Sequence, residues 1–207
     1  MFSDIAIPKN NEEEFIEMAS KLGIKKLYFL YDFDKYRQES LQNKLNSIKN
    51  HKNIEVEIGF MVNQKNLNQA GKLSKLLVVK SSDKGRFFIE SKKIKLIYGF
   101  EEVQRGDSLH QRTSWLNHTI CEIANKNSVS IGFSYSSLFN KNGHESSLLM
   151  GRMMQNISLC RKYKVKTIIA SFSENPFGMR APHDVASLFA MLGMDGKRIK
   201  ESMSQPF

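Results

Sequence analysis

No stretch of this chain approaches the roughly 20 consecutive apolar residues that a membrane-spanning helix needs. The start, MFSDIAIPKN, also lacks the charged-then-apolar order of a secretory leader. A cytoplasmic protein without a membrane partner is the expectation. Cysteine is scarce as well: Cys121 and Cys160 sit among apolar helical positions with no CxxC partner, which predicts buried thiols in a reducing compartment. With 4 Pro, 12 Gly, 41% hydrophobic and 25% charged residues, the composition is that of a folding chain and excludes a linker or disordered tail. Its 207 residues can bury one sizeable core, and no repeat, low-complexity tract or linker divides them. A single domain spanning 1–207 is expected.

The usual short catalytic motifs are missing too. There is no GxSxG elbow, GxGxxG turn, P-loop, or HxH at the end of the first strand. The stretch LHQRTSWLNHTI (109–120) reads as one helix carrying His110, Gln111, Arg112, Asn117 and His118. Its two histidines fall about 80° apart around a helix turning roughly 100° per residue. They are not expected to share a metal.

What is present is positive charge, and it is unevenly placed. The net charge is +10, yet residues 1–50 carry eight acids and eight bases, so the whole excess lies further on. From Phe60 to Phe100 nine bases, Arg86 among them, face only Asp83 and Glu90. Gly151 to Lys166 contains Arg152, Arg161, Lys162, Lys164 and Lys166 and no acid. Such asymmetry favours a polyanionic partner, because each phosphate that a Lys or Arg neutralises releases condensed counterions. A lysine-rich solvated surface is the plain alternative.

Seven short apolar runs punctuate the chain: 3–8, 25–31, 54–62, 75–81, 94–100, 129–134 and 165–173. Each has strand length, and helical patterns lie between them. In NEEEFIEMASKLG, Phe15, Ile16 and Ala19 share a face, three acids fill the first turn and Gly23 suits the stop. Alternation of this kind predicts a parallel sheet of βαβ units, a TIM-like (β/α) barrel of about seven or more strands. FNKNGHESS (139–147) reads as a surface loop. In the helix that follows, Leu149, Met153, Ile157 and Cys160 form the core stripe, leaving Arg152, Gln155 and Lys162 on a far side that reads as phosphate-facing. Another helix opens at Pro182 with Arg180 just ahead of it, placed to share a phosphate with the helix N-terminus.

Two stretches, HQRTSWLNHTICEIANKNSVSIGFS and GRMMQNISLCRKYKVKTIIASFSENPFGMRAPHDVASLFAMLGM, resemble the C-terminal half of the ribonuclease P protein component 3 family. The resemblance rests on Leu116-Asn117-His118, the strand Ala124–Ser134, the basic Met-rich helix Met153–Tyr163, Ala170-Ser171, and Arg180, Pro182 and Asp184. It covers about residues 105–195 and implies a (β/α) barrel related to the polymerase-and-histidinol-phosphatase hydrolases but without their metal-binding histidines. It further implies a non-catalytic subunit that joins component 2 and the other protein subunits and stabilises the ribonuclease P RNA. The RNA removes the 5′ leader of precursor tRNA with magnesium, and this chain binds no cofactor of its own. RNA contact is then expected from Arg86, Arg112, Asn117, His118, Arg152, Arg161, Lys162, Lys164 and Arg180. For Asn117 and His118, hydrogen bonding to structure or to RNA are both open.

Two other readings remain at this point. One is a metal-dependent barrel phosphoesterase using Asp4, Asp32 and Glu101, although acids at the strand ends, Asp32, Asp34, Glu101 and Glu102, read more simply as solvated loop residues. The other is a scaffold in a different ribonucleoprotein.

Overall fold

A computed structural model describes residues 1–35, 54–102, 106–109, 112–139 and 141–204. Seven strands form one sheet in chain order: β1 (Ser3–Ala6), β2 (Lys26–Asp32), β3 (Glu55–Met61), β4 (Leu77–Lys80), β5 (Leu96–Tyr98), β6 (Ser130–Ser134) and β7 (Thr167–Ala170). All neighbours pair in parallel. Every apolar run read from the sequence overlaps one of these strands, and only β2 extends past its run, by Asp32. Just beyond β7 the chain returns to β1: Phe172 N–H donates to Ile5 O (2.7 Å), Ile7 N–H donates to Ser173 O (2.8 Å), and Ala6 bridges Ser173. The sheet is thereby closed into a barrel.

Alternating side chains explain why whole strands are apolar. In β2, Tyr28 and Leu30 point into the barrel with Ile5, Val78, Leu96, Tyr98, Ile168 and Phe172. Leu27, Phe29 and Tyr31 point outward, into the layer beneath the helices. Both faces are buried, so the period-2 polar signal of a half-exposed strand is lost. Each large side chain buried this way contributes about 1.5–3 kcal/mol. Within the barrel Tyr98 and Phe172 stack with centroids 4.0 Å apart and planes 5° from parallel.

The described helices are α1 (Glu12–Lys21), α2 (Leu67–Leu73), α3 (Gly85–Glu90), α4 (His118–Lys126), α5 (Gly143–Lys162), α6 (Pro182–Met191) and α7 (Gly196–Ser204). As expected, α1 buries Phe15, Ile16 and Ala19, and Gly23 takes a φ of 73° after it. Helix α5 starts earlier than the loop-like FNKNGHESS suggested. Asn142 accepts the Glu145 N–H through its side chain at 2.9 Å, which makes 143–147 a capped first turn. Helix α7 crosses the N-terminal end of the barrel, where Ser3 Oγ donates to Met203 O (3.1 Å) and the Thr167 and Ser202 hydroxyls bond at 2.6 Å. No helix of the described residues is long and apolar enough to cross a membrane.

Candidate nucleic-acid interface

The best-formed basic group lies where α5 ends and β7 begins. Arg161 and Lys162 occupy the last turn of α5, and Arg161, Lys162, Lys164 and Lys166 are all exposed. The turn between is tight: Val165 N–H donates to Cys160 O (2.9 Å) and Lys164 N–H to Arg161 O (3.3 Å), with Lys164 at a φ of 55°. Glycine is the usual occupant of that left-handed position. Here a lysine holds it and keeps its charge on the surface beside the helix C-terminus.

Arg152 is a correction. The stripe Leu149, Met153, Ile157 and Cys160 is core as expected, but Arg152 is only 4% exposed and does not face solvent. Its Nε donates to Asp107 Oδ1 (2.8 Å) and its Nη1 to the Glu101 carbonyl (3.2 Å). The reason is the 106–117 segment, whose described residues pack along that flank of α5 and turn an apparent outer face into an interior one. Asp107 is held below the usual carboxylate range: burial acts upward, and the Thr113 N–H (2.9 Å) and Arg152 outweigh it. Arg112, on the same segment, stays exposed and lies across Gly151, where an added Cβ would overlap its guanidinium. Gln155 Nε2 reaches the Arg112 carbonyl (3.3 Å). A sequence signal for this packing existed: Arg152 and Asn156 are four apart, beside the apolar stripe, where a wide buried face takes them in.

LHQRTSWLNHTI is not one helix either. His110 and Gln111 lie outside the described residues, residues 112–117 are non-helical, and α4 starts at His118. The helix cannot begin earlier because Ser114 is spent on turns: its Oγ donates to Phe100 O (3.1 Å), bonds Asn156 Oδ1 (2.9 Å) and accepts from Leu116 N–H (3.1 Å). Asn117 is the N-cap, its Oδ1 accepting the Ile120 N–H at 3.0 Å. Its polar group therefore serves the structure, while His118 is exposed.

Arg180 is half-buried at the opposite, C-terminal end of the strands. Its Nη1 donates to the Phe177 and Met179 carbonyls (both 2.7 Å) and its guanidinium lies 4.2 Å from the centre of the Phe139 ring. It stiffens its own loop and does not pair with Asp184 or Glu174. Arg86 forms an exposed i,i+4 pair with Glu90 (2.7 Å), of the kind worth about 0.3–0.5 kcal/mol. The nine residues thus do not form one patch. Arg161, Lys162 and Lys164 cluster at the N-terminal end of the barrel; Asn117, His118 and Arg180 belong to the other end; Arg112 flanks α5 and Arg86 stands on α3.

The acids considered for a metal also disperse. Asp34 accepts from the side-chain amides of Asn63 (2.6 Å) and Asn66 (2.9 Å), and Glu102 pairs with Lys80 (2.7 Å). Asp4 is buried in the barrel wall, accepting from Ser171 N–H (2.6 Å) and the Tyr135 hydroxyl (3.2 Å), and burial pushes its pKa up to about 6. Glu101, read as a solvated loop acid, is 0% exposed. Its carboxyl oxygens are enclosed without a well-formed hydrogen bond, with the Asn156 amide and Ser134 backbone alongside, and burial pushes its pKa up to about 8. No group of three or more His, Cys, Asp and Glu suited to a metal occurs among the described residues.

Comparison with known proteins places these features. Residues 104–206 match the family described as RNase P subunit p30. Ribonuclease P protein component 3 of Thermococcus gammatolerans is 31% identical over 138 residues, 66% of this chain and 61% of that protein. Its namesake from Methanococcus maripaludis is 20% identical over 203 residues, 94% of this chain and 85% of that protein. The chain thus covers about three fifths of the first relative. Among solved structures, a chain in a cryo-EM structure of archaeal ribonuclease P with mature tRNA superposes with a TM-score of 0.79 over 97% of this chain and 86% of that one. At 18% identity that likeness is one of fold, and it agrees with the TIM-like (β/α) barrel. Family pattern and named relatives converge, and residues 104–206 of the chain carry the pattern of the RNase P subunit p30 family.

Proposed function

We propose that this chain is a non-catalytic protein subunit of ribonuclease P, which binds and stabilises the catalytic RNA for endonucleolytic removal of the 5′ leader from precursor tRNA. The observation that carries the reading is the overlap of the family match, 104–206, with the acid-free basic segment that ends α5 and opens β7. Exposed Arg161, Lys162, Lys164 and Lys166 supply charge that offsets phosphate repulsion as an RNA compacts, lowering the magnesium it requires. In this reading the complex is the endoribonuclease, magnesium serves the RNA, and this chain holds no cofactor. The inward placement of Asp4 and Glu101 supports locating the chemistry elsewhere. Partners are the ribonuclease P RNA, protein component 2 and the other protein subunits, with precursor tRNA engaged indirectly in the cytoplasm.

Precursor-tRNA cleavage at limiting magnesium tests this, comparing RNA alone, RNA with this chain and component 2, and the chain alone. Cleavage that requires the RNA and rises with the protein pair is expected. Hydrolysis by the chain alone with added metal would overturn the non-catalytic assignment.

A further inference from the structure

The barrel's N-terminal end contains a cleft of ≈ 530 Å³ between the start of β7 and helix α7. Lys164, Lys166 and Arg198 line it together with the hydroxyl residues Thr167 and Ser202, and Glu201 contributes the single acid. Arg198 was not among the residues singled out in the sequence. Its side chain is 23% exposed, its Nη1 is sealed from solvent without a hydrogen-bond partner, and the nearest carboxylate oxygen to its Nε, Asp195 Oδ2, is 3.9 Å away. That distance is too long for a hydrogen bond. Asp195 is moreover engaged in capping α7, accepting the Arg198 backbone N–H at 3.0 Å. Among the described residues, then, Nη1 is enclosed without an acceptor, while the rest of the guanidinium is partly exposed beside the cleft with Asp195 no nearer than 3.9 Å. The exposed part of the guanidinium keeps its charge at the cleft with no carboxylate within hydrogen-bond distance, so the arrangement suits an anion from outside.

The surroundings favour a long polyanion over a small one. Along the same end of the barrel, Lys26 is neutralised by Glu55 (2.8 Å) and Glu57 (2.5 Å) on the β2–β3 side. On the β5–β7 side Lys92, Lys95, Lys164 and Lys166 are exposed and form no ion pair with a described residue. The Lys95 carbonyl accepts from Ser130 and the Lys166 carbonyl from Ile131, which sets these two lysines on either side of the start of β6. A row of unpaired cations leading to a cleft with a partly exposed guanidinium is the arrangement that tracks a phosphate backbone.

We infer that this cleft seats a phosphodiester of a bound RNA, with Arg198 donating hydrogen bonds and Lys164 and Lys166 supplying charge. The inference rests on the RNA-binding reading above and locates the contact at the end of the barrel opposite Arg180 and His118.

The test is binding of the full chain to a ribonuclease P RNA transcript, by filter retention across a salt series. It compares wild type, Lys164→Ser with Lys166→Ser, Arg198→Gln, Arg198→Lys, and Lys65→Ser, an exposed charge in the loop after β3 at the other end of the barrel. The double variant and Arg198→Gln should each weaken binding about tenfold and reduce the slope of log Kd on log salt by about 1. Arg198→Lys keeps the charge without the planar fork, so it should weaken binding while retaining the slope. Lys65→Ser should stay within about twofold, as expected of an exposed charge at the end of the barrel away from the cleft. Thermal melts establish that each variant is folded, and if Arg198→Gln is not, the double lysine variant decides.

Wild-type binding with unchanged affinity and slope in the variants would overturn the cleft assignment and leave the RNA reading standing. Failure of the wild type to bind RNA would overturn both. Calorimetry with inorganic phosphate and adenosine monophosphate forms a second arm. Arg198-dependent binding of either, with RNA affinity unaltered, would assign the cleft to a free phosphate and overturn its assignment to RNA.

Discussion

The Arg152 guanidinium and the Asp107 carboxylate meet at 2.8 Å with their side chains only 5% and 15% exposed, joining the middle of α5 to the segment that leads into α4. A pair this enclosed behaves unlike a surface ion pair. Replacing one member leaves the other charged and largely dry, which typically costs about 3–5 kcal/mol. Arg152→Ala should therefore lower the melting temperature by roughly 6–20 °C. Arg161→Ala, one helix end away and solvated, should leave it nearly unaltered. Calorimetry of the two variants checks this, and an Arg152→Ala melt like that of wild type would show that the pair does not hold the segment.

Glu101 predicts a pH dependence of stability. Its carboxyl ionises near 4.5 when unfolded and is raised to about 8 in the turn beyond β5, chiefly by burial. The folded state keeps a proton that the unfolded state has lost, so stability is full below about pH 4.5, falls as pH rises toward 8, and levels off beyond. Asp4, raised to about 6, contributes in the same direction over a narrower range. Glu101→Gln removes the ionisation with little change of shape. The variant should match wild type near pH 5 and exceed it near pH 9 by on the order of a few kcal/mol. Urea unfolding at both pH values decides, and parallel pH profiles would refute the assignment.

Gly132 lies where the barrel interior leaves no room for a side chain. A Cβ there would sit 2.8 Å from Tyr98 Cβ, 3.0 Å from Leu96 Cδ1 and 3.2 Å from Phe172 Cζ. Gly132→Ala must displace β5 or part the Tyr98–Phe172 stack, for a loss of about 1–3 kcal/mol. The urea midpoint should drop accordingly, and loss of near-ultraviolet tyrosine dichroism would locate the change.

Asn117 separates capping from RNA contact. Asn117→Ala should cost about 0.5–2 kcal/mol, while Asn117→Ser, which can still accept the Ile120 N–H, should recover most of it. Affinity for RNA, measured on folded protein, should be equal in both. Weakened RNA binding by an alanine variant that melts normally would make Asn117 a contact residue.

Strands were legible because each is a short apolar run between turn signals, and the alternation of β2 between Tyr28 and Phe29 serves two cores at once. The stripe Leu149–Cys160 and the stop at Gly23 were legible for the same local reason. Burial of Arg152 and Glu101 was not, because it depends on segments far away in the chain: Asp107 for one, Asn156 and Ser134 for the other. A helical wheel knows only its own helix. The start of α5 was misread although Asn142 followed by Glu145 is a capping pattern, since Asn, Gly and Ser around it signal a loop equally well. Charge counts located the basic α5–β7 segment, yet they could not distinguish an exposed Lys164 from a half-buried Arg198.

Barrel closure has a consequence for biogenesis. The outer edge of β1 finds its partners only at Phe172 and Ser173, more than 160 residues along the chain. During synthesis at about 5–20 residues per second, that edge of Asp4–Ala6 would therefore wait roughly 8–35 s for its neighbour. An unpaired parallel edge backed by apolar side chains is a template for association with other chains. The nascent protein is most vulnerable in that interval, and shielding by a chaperone or an early partner matters most before the final quarter has emerged.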